Sequence, residues 1–333
     1  MLGHFGDEGD RLSNENERGN VTQIQTVRGP ISPQKLGKTL IHEHILFDFR
    51  PERRQESIQV AVEMLKKARD VGLETIVCLT PFREITWYRE INDQVGINIV
   101  ASTGYYLERV TPDPLRGLSE EQMYARFVRE LTEGIDGTGI RAGIIKVAAD
   151  LPAMTEWEKR VFRAAARAHR TTGAPIATHA CSGARNQMDY LREHGVDPRR
   201  TFYSHVEAEF GWEGRSLAQE TEYLLDIARQ GGSLLFNNFG FEWDTPWPDL
   251  VHLLRSLAEA GFRDRILISV DANWTWNAKG QVEFEAAWEH PNAAERDYAY
   301  MFTRAVPALK EAGFTSGDVE AFLVSNPRGF FSG

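Results

Sequence analysis

Eight short apolar runs, each separated from the next by a stretch with helical periodicity, constrain this chain more than any other feature. They are Thr39 to His44, Thr75 to Leu79, Ile97 to Ser102, Ile140 to Ala148, Ala174 to Ala180, Thr201 to Glu207, Ser233 to Asn238 and Arg265 to Ala272. Strands buried on both faces read as continuous apolar runs, and when helices join them they pair in parallel. Eight such strands predict an α/β fold in which the sheet closes on itself, a (β/α)8 TIM barrel. The 333 residues suit one such barrel as a single domain, because these barrels run to about 250 residues or more.

The intervening segments carry helix punctuation. Thr155 with Glu158, and Ser119 with Gln122, form capping-box patterns, in which a side chain at each position satisfies an orphan N–H of the other. Val161, Ala165 and Ala168 follow the first on one face before Gly173; Met123, Phe127 and Leu131 follow the second before Gly134. Ile58, Ala61, Leu65 and Ala68 repeat the helical spacing ahead of Gly72. No linker, repeat or low-complexity tract divides the chain. Residues 1–20 are polar and acidic, with no apolar stretch to act as a signal peptide or membrane span. We therefore expect a loose N-terminal arm over 1–20, with His4 solvated in it, and the barrel over 21–333.

A net charge of -10 argues against nucleic-acid or anionic-membrane partners, which require a concentrated basic face. The two cysteines, Cys78 and Cys181, fall in apolar surroundings. No disulfide is expected, in keeping with a cytoplasmic location; Cys181, two residues past His179, either points to the site or, the preferred expectation, is buried as a small apolar residue. No glycine-rich phosphate fingerprint follows a strand, so no nucleotide cofactor is indicated.

The polar residues in the apolar runs point to chemistry. Side chains two apart on a strand share a face, so His42 and His44 point one way and Glu43 the other. Lys146, His179, His205 and Asp271 lie near the C-terminal ends of four other runs, and that end is where such barrels build their sites. Imidazoles and a carboxylate suit zinc-like ions. A lysine among them would be repelled as an ammonium. Burial and neighbouring cations favour its neutral amine, which can capture carbon dioxide as a carbamate, an anion able to bridge two metals.

These residues and their order resemble the phosphotriesterase family of the amidohydrolase superfamily. The likeness is carried by TVRGPISPQKLGKTLIHEHILFD, ASTGYY, IIKVA, the histidines of IATHA and YSHVE, the aspartate of ISVDANW, and VSNPRGFF. It runs from about Val21 to the end. The resemblance implies that His42, His44 and Asp271 hold a more buried metal, that His179 and His205 hold a more exposed one, and that carboxylated Lys146 bridges them. It further implies a hydroxide shared by the metals as nucleophile, with Asp271 taking up its proton. Zinc is the first choice of metal, with manganese, cobalt or iron as alternatives, and a homodimer is the expected assembly.

The expected reaction is hydrolysis of a small-molecule lactone, carboxylic ester or amide; the alternatives are an organophosphate triester or phosphodiester, and a non-catalytic ligand-binding barrel. Where relatives carry an Asp-His or Asp-Arg pair after the seventh strand, this chain has Asn237 and Asn238. Tyr106 aligns with an aromatic position on the leaving-group side, often tyrosine in lactonases. Tyr106, Asn238 and Trp274 are the candidate substrate contacts. Glu207 or Glu209 is a candidate auxiliary acid or base, read otherwise as a surface carboxylate. Trp274, Trp276 and Trp288, with Trp243 and Trp247, are expected either to form an apolar lid or to pack the loops against the barrel or across a dimer interface. His169, His194, His252 and His290 are expected to carry no chemistry.

Overall fold

A computed structural model describes residues 23–47, 50–80, 83–150, 153–181, 183–208, 213–242, 244–284 and 295–333. The N-terminal arm, Glu209, Trp243, Trp288 and His290 lie outside these residues. A hairpin of β1 (Ile24–Thr26) and β2 (Gly29–Ile31) leads into eight strands, one from each apolar run. They are β3 (Thr39–Glu43), β4 (Thr75–Cys78), β5 (Asn98–Gly104), β6 (Ile144–Ala148), β7 (Ile176–His179), β8 (Thr201–Ser204), β9 (Ser233–Phe236) and β10 (Ile266–Ile268). Their spatial order is their sequence order and every pair is parallel. The first and last strands meet past their ends, where Asp271 N–H donates to His42 O at 3.2 Å and His44 N–H to Ala272 O at 3.1 Å. This is the expected (β/α)8 barrel.

Alternation along the strands divides the apolar side chains into two cores. Ile41, Val77, Val100, Ile144, Ala177, Phe202, Leu235 and Leu267, one per strand, fill the lumen. Ile24, Phe330 and Phe331 join them. Arg200, just before β8, donates to Phe330 O at 3.1 Å, so the C-terminal helix Asn326–Ser332 caps the end of the barrel opposite the strand C-termini. Full burial of each such phenylalanine contributes about 1.5–3 kcal/mol. The other strand faces pack against the helices in a second, larger cluster. Both capping boxes form as expected, on the helices Glu120–Thr132 and Glu156–Thr172, and the latter stops at Gly173 with φ 74°.

Gly104 ends β5 with φ +122°, and a Cβ there would lie 1.8 Å from Lys146 O. Only a glycine permits that approach, and it sets β6 at the height where Lys146 enters the mouth.

Candidate active site

The six expected ligands converge at the C-terminal mouth, and simple alternation does not account for it. Ile41 belongs to the lumen cluster, yet its neighbour His42 also turns inward: its Nδ1 lies 2.9 Å from Ser204 Oγ of β8 and its Nε2 3.4 Å from Asp271 Oδ1. The pairing of β3 with β4 shifts register between Leu40 and Glu43, and a bulge of this kind re-aims a side chain. His205 and Asp271 use another device. Both have left-handed backbones, φ 63° and 56°, a conformation uncommon outside glycine that tends to occur at functional sites. Ser204 and His205, though adjacent, thus both serve the site.

Hydroxyls orient the first two imidazoles. His44 Nδ1 lies 2.8 Å from Thr80 Oγ1 as His42 Nδ1 does from Ser204, leaving both Nε2 atoms facing Asp271 Oδ1; for His44 the distance is 3.1 Å. Such outer hydroxyls set which nitrogen can serve as a ligand. Asn237 does the same for His205, accepting its backbone N–H at 2.9 Å through Oδ1 and placing Nδ2 3.0 Å from His205 Nδ1. His179 packs edge-on against His205, with ring centroids 4.5 Å apart. Its Nε2 is 3.4 Å from Tyr106 OH and 3.3 Å from Cys181 Sγ. The sequence reading missed Ser204, Thr80 and Asn237's orienting role, and preferred burial over a place at the site for Cys181. The signal for the first two was their position in or beside a strand end next to a ligand.

Burial sets the charge states. It pushes the His42 and His179 imidazoles well below their usual value, with neighbouring cations adding to the effect, and lowers His205 to about 4. Burial lowers Lys146 to about 8. It would raise Asp271, but the imidazoles of His42, His44 and His205 outweigh it and hold the carboxyl well below the ordinary range. Neutral imidazoles beside an ionised carboxylate are the ligand-competent forms. His205 accepts a proton only as pH falls toward about 4, rather than near 6.5. In metal-free protein the His205 imidazole should therefore titrate well below 6.5, read by the NMR shifts of its ring protons; titration centred at 6.5 would contradict its placement as a buried, neutral imidazole.

Buried groups behind the site hold the strand ends. Glu43 points away from His42 and His44 and clamps the end of β10: it accepts from Ser269 Oγ at 2.7 Å, Val270 N at 2.8 Å and Ala272 N at 2.6 Å. Glu207 is fully buried and accepts from the N–H groups of Asn237 and Asn238. It is neither a surface carboxylate nor an exposed acid or base; its position behind β9 makes it structural. Arg296, 2% exposed, donates to Phe239 O at 2.7 Å, to Asn237 O at 3.3 Å and to Val270 O. One guanidinium thus joins the segments that carry Asn237 and Asp271.

Of the expected substrate contacts, Tyr106 is half-buried beside His179. Asn238 is 6% exposed, and its Nδ2 donates to Asp244 Oδ2 at 2.5 Å. Trp274 is 1% exposed, donates through its indole N–H to Ile45 O at 3.1 Å and packs edge-on against Trp276. No face of its ring is left for a substrate, so its role is to fasten the loop after β10 to the barrel. Trp276 donates to Ser57 Oγ at 3.1 Å, under the guanidinium of Arg53. These two tryptophans take the packing role of the two expected. Cys181 also departs from expectation, since it is partly exposed and touches His179.

The donor set fits divalent cations. Among the described residues, His42, His44 and Asp271, and separately His179, Cys181 and His205, each place ligand atoms within 4.8 Å of one another. Lys146 Nζ and His205 Nε2 are buried without a hydrogen-bond partner. A buried polar atom left this way normally has an ion or water to meet it.

A (β/α)8 barrel with two histidine-rich groups able to hold metal at its mouth defines a class of barrel hydrolases. The profile of the Phosphotriesterase family matches residues 22–331, and the chain belongs to that family and is a hydrolase. It is 33% identical to a phosphotriesterase homology protein of Mycobacterium tuberculosis, over 93% of this chain and 98% of that one. It is 30% identical to an aryldialkylphosphatase of Saccharolobus solfataricus (91% and 97% covered) and 27% identical to an N-acetyltaurine hydrolase of Xenopus tropicalis (92% and 97%). The solved structure of the phosphotriesterase from Mycobacterium tuberculosis superposes with a TM-score of 0.81 at 30% identity, covering 93% of this chain and 98% of that one.

Proposed function

We propose that this hydrolase cleaves a lactone, carboxylic ester or amide with two divalent metal ions, zinc first and manganese, cobalt or iron as alternatives. His42, His44 and Asp271 would hold one ion, His179 and His205 the other, and a carboxylated Lys146 both. When bound, the ions supply an activated water and polarise the scissile carbonyl. The reading rests on Tyr106, which occupies the position where lactonases of the resembled family often carry tyrosine and whose hydroxyl stands at the mouth 3.4 Å from His179 Nε2. There it can donate to an acyl or leaving-group oxygen. Asp271 Oδ1 faces the two Nε2 atoms, while Oδ2 stands 3.7 Å from His205 Nε2. That leaves Oδ2 as the atom to receive the proton of the attacking water. Phe47, 49% exposed and edge-on to His44, offers an apolar surface for the substrate's hydrocarbon part.

The N-acetyltaurine hydrolase relative favours an amide within this class. The aryldialkylphosphatase relative supports the second reading, a phosphotriester substrate. Proton release from zinc- or manganese-loaded protein against lactones, carboxylic esters, N-acyl amides and phosphotriesters separates the two. Turnover of a carbonyl substrate should exceed that of any triester; a triester preference would replace the proposal with the phosphoryl reading. A homodimer is the assembly the family resemblance implies. Two free cysteines support a reducing, cytoplasmic setting. No helix among the described residues is long and apolar enough to cross a membrane.

A further inference from the structure

We propose that Cys181 is a metal ligand, its Sγ completing with His179 and His205 a nitrogen–sulfur site for a thiophilic divalent cation such as zinc or cadmium. The proposal rests on the metal-centre reading above and adds a donor to it. Cys181 sits just past β7 and is partly exposed, where a purely packing cysteine would be covered. Its Sγ lies 3.3 Å from His179 Nε2. In a tetrahedral zinc site with Zn–N of about 2.0–2.1 Å and Zn–S of about 2.3 Å, neighbouring ligand atoms stand about 3.5 Å apart. The observed separation is already close to one edge of such a site.

A second observation points to the same place. His205 Nε2 is buried and has no hydrogen-bond partner among the described residues, and His179, Cys181 and His205 bring one ligand atom each within 4.8 Å of the others. A cation there would meet the orphaned nitrogen, the second imidazole and the sulfur together. The opposite group, His42, His44 and Asp271, offers two nitrogens and an oxygen. The two positions therefore differ in softness: the sulfur-bearing one selects zinc or cadmium over manganese, whereas the oxygen-bearing one discriminates less. As the metal–sulfur bond forms, the S–H bond breaks heterolytically, sulfur keeps the electron pair, and the proton passes to solvent with no change of oxidation state. The competing arrangement is a simple thiol–imidazole hydrogen bond that leaves sulfur off the metal.

Cobalt(II) titration of the full chain and of Cys181→Ser and Cys181→Ala distinguishes them. Wild type should show visible d–d bands and a near-ultraviolet sulfur-to-cobalt charge-transfer band. Both variants should keep the former and lose the latter. Cadmium affinity should fall roughly tenfold or more in the variants while manganese affinity changes less than about threefold. Cys78, buried and 3.0 Å from Tyr88 OH, stays in every protein as the control sulfur. Visible bands in wild type without charge transfer, or charge transfer that survives both variants, would overturn the assignment while leaving the metal centre intact. Absence of any cobalt spectrum would overturn the metal-centre reading and the Cys181 ligand with it.

Discussion

Asp271→Asn will lower kcat by about a thousandfold or more, consistent with the loss of a positioned acid–base group together with a metal ligand. The substitution is chosen for its backbone. Asp271 sits at φ 56°, and asparagine is among the few residues that tolerate the left-handed region, whereas alanine would add strain. The clamp at this strand end is made by Glu43 to the N–H groups of Val270 and Ala272 and does not use the Asp271 side chain. The variant should therefore keep its circular-dichroism spectrum and, compared metal-free with metal-free, unfold within a few degrees of wild type. What it loses is the negative charge facing His42 and His44 at 3.4 and 3.1 Å, so metal content should also drop. A folded Asp271→Asn protein with wild-type turnover would remove the residue from the mechanism.

Lys146→Ala will lose bridged metal and about a hundredfold in activity, at the upper end of the roughly ten- to hundredfold loss seen when even the outer partners of metal ligands are removed. Short carboxylic acids such as acetate or propionate should restore part of both. The side chain is 1% exposed and its Nζ has no hydrogen-bond partner among the described residues. Truncation therefore opens a polar space in which a small carboxylate can supply the two oxygens of the proposed carbamate. The pH dependence has a definite sign. With the amine lowered to about 8, the ammonium form dominates below that value and cannot react with carbon dioxide; the neutral amine dominates above it. Incorporation of labelled carbon dioxide into metal-free protein should rise as pH passes upward through about 8. Full occupancy of two tight metals in the alanine variant without added acid, or no label at any pH, would count against carboxylation.

Much of this was legible in the linear order of residues. Each apolar run contains one barrel strand, because strands buried on both faces must be apolar along their length. The capping boxes at Ser119 and Thr155 are local chemistry and form wherever the chain turns into a helix. The six candidate ligands could be picked out because charged and imidazole side chains stand out at the ends of otherwise apolar strands. Cys181 could not be assigned this way, since a cysteine near an apolar run reads the same whether it packs or faces a site. Trp274 misled for the complementary reason: an aromatic on a loop after the last strand reads alike whether it lines the mouth or pins the loop.

The sequence by itself thus determined the barrel and the chemical types assembled at its mouth. How they meet was decided only by tertiary structure. Period-two alternation would send one of Ile41 and His42, and one of Ser204 and His205, away from the lumen, yet all four turn inward. A register shift in β3 and left-handed backbones at His205 and Asp271 break the alternation. These conformations are costly in an isolated strand and persist because buried Glu43, Glu207 and Arg296 bind the strand ends that carry them. Those clamps join residues up to 229 positions apart, and no local pattern encodes such a pairing.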